Sequence, residues 1–314
     1  SSLLEDSQYQ PLAGMYATYM LPNSHKRKKE RLSQLCEAIK RVFASTYFQD
    51  PKTLMDNIVQ KHENEKMAII IMEMIGRKHD DIFYPSISGV AQSFNYYPIS
   101  HMKRGEGVGF IALGLGRTIA DGERCLRFSP KHPTILPQFY SIESTIENSQ
   151  NCFYALKLNN GENSMREGLA NNLHPFDLSV AEKHGELEWI ASTVSVENNL
   201  IRDSLSYKGP RVLTFSPLLK WGKLPICDIL NELLKIGRRA LGCPVELEFA
   251  LNINKNGEDE FCLLQIKPMV IKNLNAERKK IKPEKQQFVC KSSLVLGDGF
   301  INNIKDIIFV NPET

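Results

Sequence analysis

Two glutamates, a glutamine and a lysine are the side chains whose types and spacing could do chemistry together: Glu246 and Glu248 in VELEFALN, Gln265 and Lys267 in LLQIKP. Both runs are β-rich, and Asn256-Gly257 between them is the dipeptide that best supplies the two positive φ angles of a two-residue hairpin turn. With that dipeptide as the loop, strands over 245–254 and 258–268 pair so that Glu248 faces Gln265 and Glu246 faces Lys267. Directly opposed side chains share one face of a sheet, so two carboxylates, an amide and an ammonium would sit together. Leu247, Phe249, Leu264 and Ile266 fall on the other face, which is then apolar. Two readings of the polar face stay open. One is an ordinary half-buried hairpin with cross-strand ion pairs. The other is a cation and phosphate site, because carboxylate and amide oxygens suit Mg2+ and a cationic tip suits phosphate oxygens.

A chain of 314 residues is long enough for two domains or one large one around a substantial core. Apolar residues at 42% and charged residues at 24% are those of an ordinary soluble globular protein. The net charge of +3 gives no argument for a nucleic-acid partner. Seven cysteines lie scattered, with no CxxC and no zinc-like spacing, which predicts reduced thiols and a cytoplasmic location. The longest apolar run, residues 67–75, is too short to span a bilayer. Ser1 opens without an initiator Met or a signal-peptide pattern, so the chain is expected to be a piece of a longer one.

Helices and strands must position the four polar residues. The spacing of Leu32, Leu35, Cys36, Ile39, Val42 and Phe43 predicts one amphipathic helix, capped at Asn23-Ser24 and opening with the solvated run HKRKKER. A second helix is predicted from Asp50-Pro51. Residues 67–75, MAIIIMEMI, read as a buried strand, and Ser88-Gly89-Val90-Ala91 as another strand entering a turn. The segment 105–122, GEGVGFIALGLGRTIADG, is glycine-rich enough to cradle phosphates through backbone N–H groups, although such segments also serve as plain turns. Strands are predicted at 152–158, 187–194 and 211–219, and His132, His174 and His184 have no metal-like spacing. A helix from Ile226 puts Ile229, Leu230, Leu233, Leu234 and Gly237 on one side, stops near Gly242 and Pro244, and delivers the chain into the strand at Val245. Residues 271–288 read as a charged linker and 289–314 as the start of a further domain.

Several of these pieces stand in a recognisable order. SSLLEDSQYQPLAGMYAT (residues 1–18) resembles the RSSA-x-x-ED…FAG-x-x-x-T segment of phosphoenolpyruvate synthases and pyruvate phosphate dikinases. IKRVFAS (39–45), MAIIIMEMI (67–75), SGVA (88–91), GLG (114–116) and the 245–268 run, similar to DIEW…LYILQARPE, follow in that family's order. The resemblance covers roughly 1–122 and 226–270, while 123–225 match poorly and read as an insert or subdomain. It implies an α+β, ATP-grasp-like fold, with residues 1–270 as the C-terminal portion of a pyruvate phosphate dikinase-type ATP-binding domain.

The resemblance also implies a reaction. ATP would give its β-phosphoryl group to a histidine on a separate phosphohistidine domain, which then phosphorylates pyruvate, while AMP leaves and the γ-phosphoryl group passes to water as phosphate. By position, Glu248 and Gln265 would be metal-side residues for Mg2+, and Lys267 would act in phosphoryl transfer where the family carries arginine. Met72, Glu73, Met74 and Ile75 would hold the adenine, and Gly114 and Gly116 would contact the nucleotide. The family's phosphate-holding lysine and the arginine of RSS would lie before Ser1. Arg117 after GLG and Met269 after the proline replace common glutamates. A non-catalytic nucleotide-binding regulator, or a related dikinase with a different acceptor, is compatible with the same residues, and the oligomeric state, a homodimer included, stays open.

Overall fold

A computed structural model describes residues 16–48, 67–99, 101–158, 172–195, 197–254, 257–269 and 305–306. Its elements begin with α1 (Lys28–Ser45), β1 (Arg77–His79), β2 (Ile82–Tyr84), β3 (Ile87–Gln92), β4 (Val108–Ala112), the short helix α2 (Arg117–Ala120) and β5 (Leu126–Phe128). The middle adds α3 (Ile142–Asn148), β6 (Cys152–Lys157), β7 (Leu173–Asp177), α4 (Leu178–Lys183), β8 (Ala191–Ser195), β9 (Leu200–Arg202), β10 (Arg211–Leu213) and α5 (Ser216–Leu219). Last come α6 (Ile226–Leu241), β11 (Val245–Asn252) and β12 (Glu260–Pro268).

The strands form three antiparallel sheets, ordered β1-β2-β6-β7, β10-β8-β9 and β12-β11-β3-β4-β5. Helices packed on antiparallel sheets make this an α+β fold. Period-two alternation decides the faces of the five-stranded sheet. Ile87, Ala91, Ile111, Leu247, Phe249 and Leu251 are buried in the main core on one side. α6 packs there through Ile226, Leu230 and Leu234, which recur at helical spacing. Gly237 lets it approach, because a β-carbon at that position would lie 2.7 Å from Ile266 Cδ1. The helix stops at Gly242, whose φ of 67° only glycine adopts without strain.

Gly89 solves a similar problem within the sheet. The Phe249 ring lies across it, and a β-carbon there would come within 2.2 Å of the ring. Gly89→Ala is therefore expected to cost about 1–3 kcal/mol of stability by overpacking, readable as a lower urea midpoint at unchanged slope.

Several expected elements differ from the observed ones. Residues 67–75 are not a buried strand: Met67 makes an isolated bridge, the rest is irregular, and Ile70, Ile71 and Met72 are exposed. An apolar run becomes a strand only when a neighbouring strand pairs its backbone, and no described strand does so here. α1 forms, but Leu32, Cys36 and Phe43 of its expected apolar stripe face solvent. Its N-cap is Arg27 with no side-chain cap rather than Asn23 or Ser24. The segment 187–194 opens as a 3-10 turn, Glu186–Trp189, before β8, and 211–219 turns from β10 into α5 at Pro217. The helix expected at Asp50, the linker 271–288 and nearly all of 289–314 lie outside the described residues. No described helix is long and apolar enough to cross a membrane.

Candidate functional site

The face of the five-stranded sheet opposite α6 carries the polar side chains. Cross-strand partners form a continuous row from Gln265 through Glu248, Val90 and Phe110 to Arg127. The next row runs Lys267, Glu246, Gln92 and Val108. Glu248 faces Gln265 and Glu246 faces Lys267, as the alternation requires. The turn is not the expected two-residue loop, however. β11 ends at Asn252 and β12 starts at Glu260, so the connection is longer, and Asn256 lies outside the described residues. A register shift between Glu248 and Phe249 compensates by leaving Leu264 as an extra residue. On the other face Ile266 still pairs with Leu247, as expected, but Leu263 rather than Leu264 stands opposite Phe249.

Lys267 Nζ lies 2.9 Å from Glu246 Oε1 and 3.0 Å from Glu248 Oε1. Gln92 Nε2 donates to Glu246 Oε2 at 2.6 Å. Burial works to lower the Lys267 pKa, but hydrogen bonds and charge from Glu246, then Glu248, outweigh it and hold the ammonium above its ordinary range. Gln92 belongs to this cluster and was not anticipated. Its signal is its place at the end of the Ser88, Val90, Gln92 alternation.

These residues fit a hard divalent cation. Two carboxylates and an amide oxygen are the donors Mg2+ prefers, with the rest of its shell left to phosphate and water. Glu248, 38% exposed, and the exposed Gln265 keep their oxygens open toward solvent. Among the described residues no cluster of three His, Cys, Asp or Glu forms a closed metal cage.

The remaining expected site residues divide into two places. Gly116 begins α2 above the same sheet face, where a β-carbon on it would sit 3.8 Å from Ser88 Oγ. That hydroxyl and Thr118 Oγ1 are buried without a hydrogen-bond partner. Gly114 is buried against β6, and its φ of 84° and the closeness of Tyr154 O explain why it is glycine. Arg117 pairs with Asp121 at 2.9 Å and lies over the Tyr154 ring. Met72, Glu73 and Met74 line a separate groove of about 630 Å³ between α1 and residues 68–74, closed at its base by Phe83 and Leu156. Its size and apolar lining suit a flat heterocycle. Ile75 is half-buried and is not part of the lining. Phe83 of β2, at the base of the groove, stands five residues before Ser88 of β3 on the polar sheet face, so groove and sheet face are linked by one short stretch of chain.

A second polar cluster braces the far end of β11. Glu186 is buried and accepts from Arg77 Nη2 at 2.5 Å and from Ser86 Oγ at 2.5 Å. Ser86 Oγ in turn accepts the Ile253 N–H at 3.0 Å, and Arg77 Nη1 donates to Asn254 Oδ1 at 2.8 Å. His79 stacks on His184, and burial, with the charges of His184 and Arg77, brings its pKa down to about 4. The unfolded chain therefore takes up this proton first. Stability is expected to be full above about pH 6.5 and to fall as pH drops toward 4, with a shallower fall in His79→Phe, measured by thermal denaturation against pH. His132 is 3.3 Å from Glu106, so it and His184 are both partnered, as expected of non-ligand histidines.

Comparison with protein-family models gives a match across residues 1–288 to the model described as pyruvate phosphate dikinase, AMP/ATP-binding domain. The match runs through the middle segment, 123–225, as well as its flanks. No curated protein matches the chain.

Proposed function

Because the chain belongs to the pyruvate phosphate dikinase AMP/ATP-binding domain family, we propose that it is the ATP-binding part of a phosphoenolpyruvate synthase-like phosphotransferase. In this reading the adenine lies in the groove beside Met72, Glu73 and Met74, and the phosphates reach the sheet face near Gly116. Glu248 and Gln265 hold Mg2+, and Lys267 meets a phosphoryl oxygen. Mg2+, when bound, would neutralise charge developing between the phosphates. The chain's own work is positioning and charge placement, which is most of what phosphoryl transfer demands of a protein. The β-phosphoryl group then passes to a histidine of a phosphohistidine domain and from there to pyruvate.

The observation that carries the proposal is the row Gln265–Glu248 with Lys267 beside it, open to solvent in a chain of this family. Incubating the intact protein with [β-32P]ATP and Mg2+ tests it. Acid-labile, base-stable label on histidine is the expected result. ATP binding without label would leave a non-catalytic nucleotide sensor, a reading that the lysine at position 267 favours because it lacks arginine's two-pronged grip.

A further inference from the structure

We propose that Lys267 is a built-in counter-cation, closing Glu248 to a divalent ion until a bound nucleotide draws the ammonium away. The inference rests on the nucleotide site proposed above and concerns how that site is regulated.

Three observations carry it. First, the ammonium sits 2.9 Å and 3.0 Å from one oxygen of each carboxylate, in the gap between them, and so occupies an oxygen of Glu248 that a bound ion would need. An ammonium and a divalent ion cannot share that gap without like-charge repulsion at close range. Second, the two carboxylates are not held alike. Glu246 keeps a second hydrogen bond, from Gln92 at 2.6 Å, whereas Lys267 is the one side chain seen to bond Glu248 among the described residues. Glu248 is thus the carboxylate freed when the ammonium leaves. Third, the cation is a lysine, a single point charge on a flexible four-carbon stem at the edge strand of the sheet, and it is 34% exposed. It can leave both carboxylates by rotating about its stem, with no backbone movement.

The consequence is a coupling between ligands. Without nucleotide, Lys267 competes with the metal and metal affinity is low. A triphosphate offers the ammonium a new partner, opens Glu248, and so raises metal affinity. By reciprocity the metal raises nucleotide affinity by the same factor.

Mn2+ alone, titrated into the intact protein and followed by the loss of the free-ion EPR signal, tests the competition without needing activity. Lys267→Met, which keeps the aliphatic stem, and Lys267→Gln are each expected to bind Mn2+ at least about tenfold more tightly than the wild type. Lys267→Arg should stay as weak as the wild type, and adding Glu248→Gln to Lys267→Met should remove the gain. Equal affinity in wild type and both neutral variants would overturn the proposal and leave the trio a structural ion-pair network. A gain that survives Glu248→Gln would overturn it too, because the ion would be binding elsewhere. Mg2+-dependent ATP binding in the wild type separates the two levels. Its absence refutes the nucleotide reading, while its presence alongside an unchanged Mn2+ affinity refutes only the lysine switch.

Discussion

Glu248→Gln is expected to lower ATP-dependent phosphoryl transfer by about 10³-fold, close to 4 kcal/mol of transition-state stabilisation, with the fold unchanged. The substitution keeps the size and shape of a side chain that is already 38% exposed, so packing has little to lose. It removes the one carboxylate whose sole seen side-chain partner is the Lys267 ammonium. A neutral amide cannot hold a hard dication against phosphate charge as a carboxylate does. Gln265→Leu, across the strand, is expected to lose less, about 10- to 100-fold, because it deletes a neutral ligand. Rapid-quench measurement of label transfer from ATP reads both. Full activity in Glu248→Gln would take the metal role away from this row.

The second large effect is on stability. Glu186→Ala is expected to cost about 3 kcal/mol, because it leaves the Arg77 guanidinium and the Ser86 hydroxyl without the buried carboxylate they share. For a chain of this size that is a fall of roughly 4–6 °C in melting temperature. A pair of this kind stabilises little against apolar replacements of similar volume. Arg77→Met combined with Glu186→Leu should therefore recover most of the loss. A double variant as unstable as Glu186→Ala alone would mean that the shape of the network, not the orphaned charge, matters. The same network ties the middle of the chain to Ile253 and Asn254 at the end of β11, the strand that bears Glu248. Segment 123–225 thus contributes a brace for the candidate site.

The candidate site was legible because strict alternation in VELEFALN and LLQIKP leaves few ways to bury Leu247 and Phe249, and each of those ways puts Glu248 and Glu246 outward. The turn was not legible in the same way. The two-residue loop read from Asn256-Gly257 and the observed longer connection reach the same pairing at Glu248 only because a bulge adds one residue at Leu264. Propensity reports which residues suit a turn, not how many residues it takes. Residues 67–75 misled for a related reason: apolarity measures a wish to be covered, and nothing in the run says what covers it. The brace was invisible. Arg77 and Glu186 lie 109 positions apart, and neither carries a local pattern that names the other. The middle segment is built of strands of three to six residues, too short for a period to emerge.

In the function proposed above, one open sheet face joins a divalent cation to a nucleotide through Glu248. Calorimetric titration of the intact protein with ATP, with and without Mg2+, in wild type and in Glu248→Gln, tests it most directly. ATP binding is expected to strengthen at least about tenfold with Mg2+ in the wild type and to gain almost nothing in the variant. The same Mg2+-dependent gain in both proteins would contradict it.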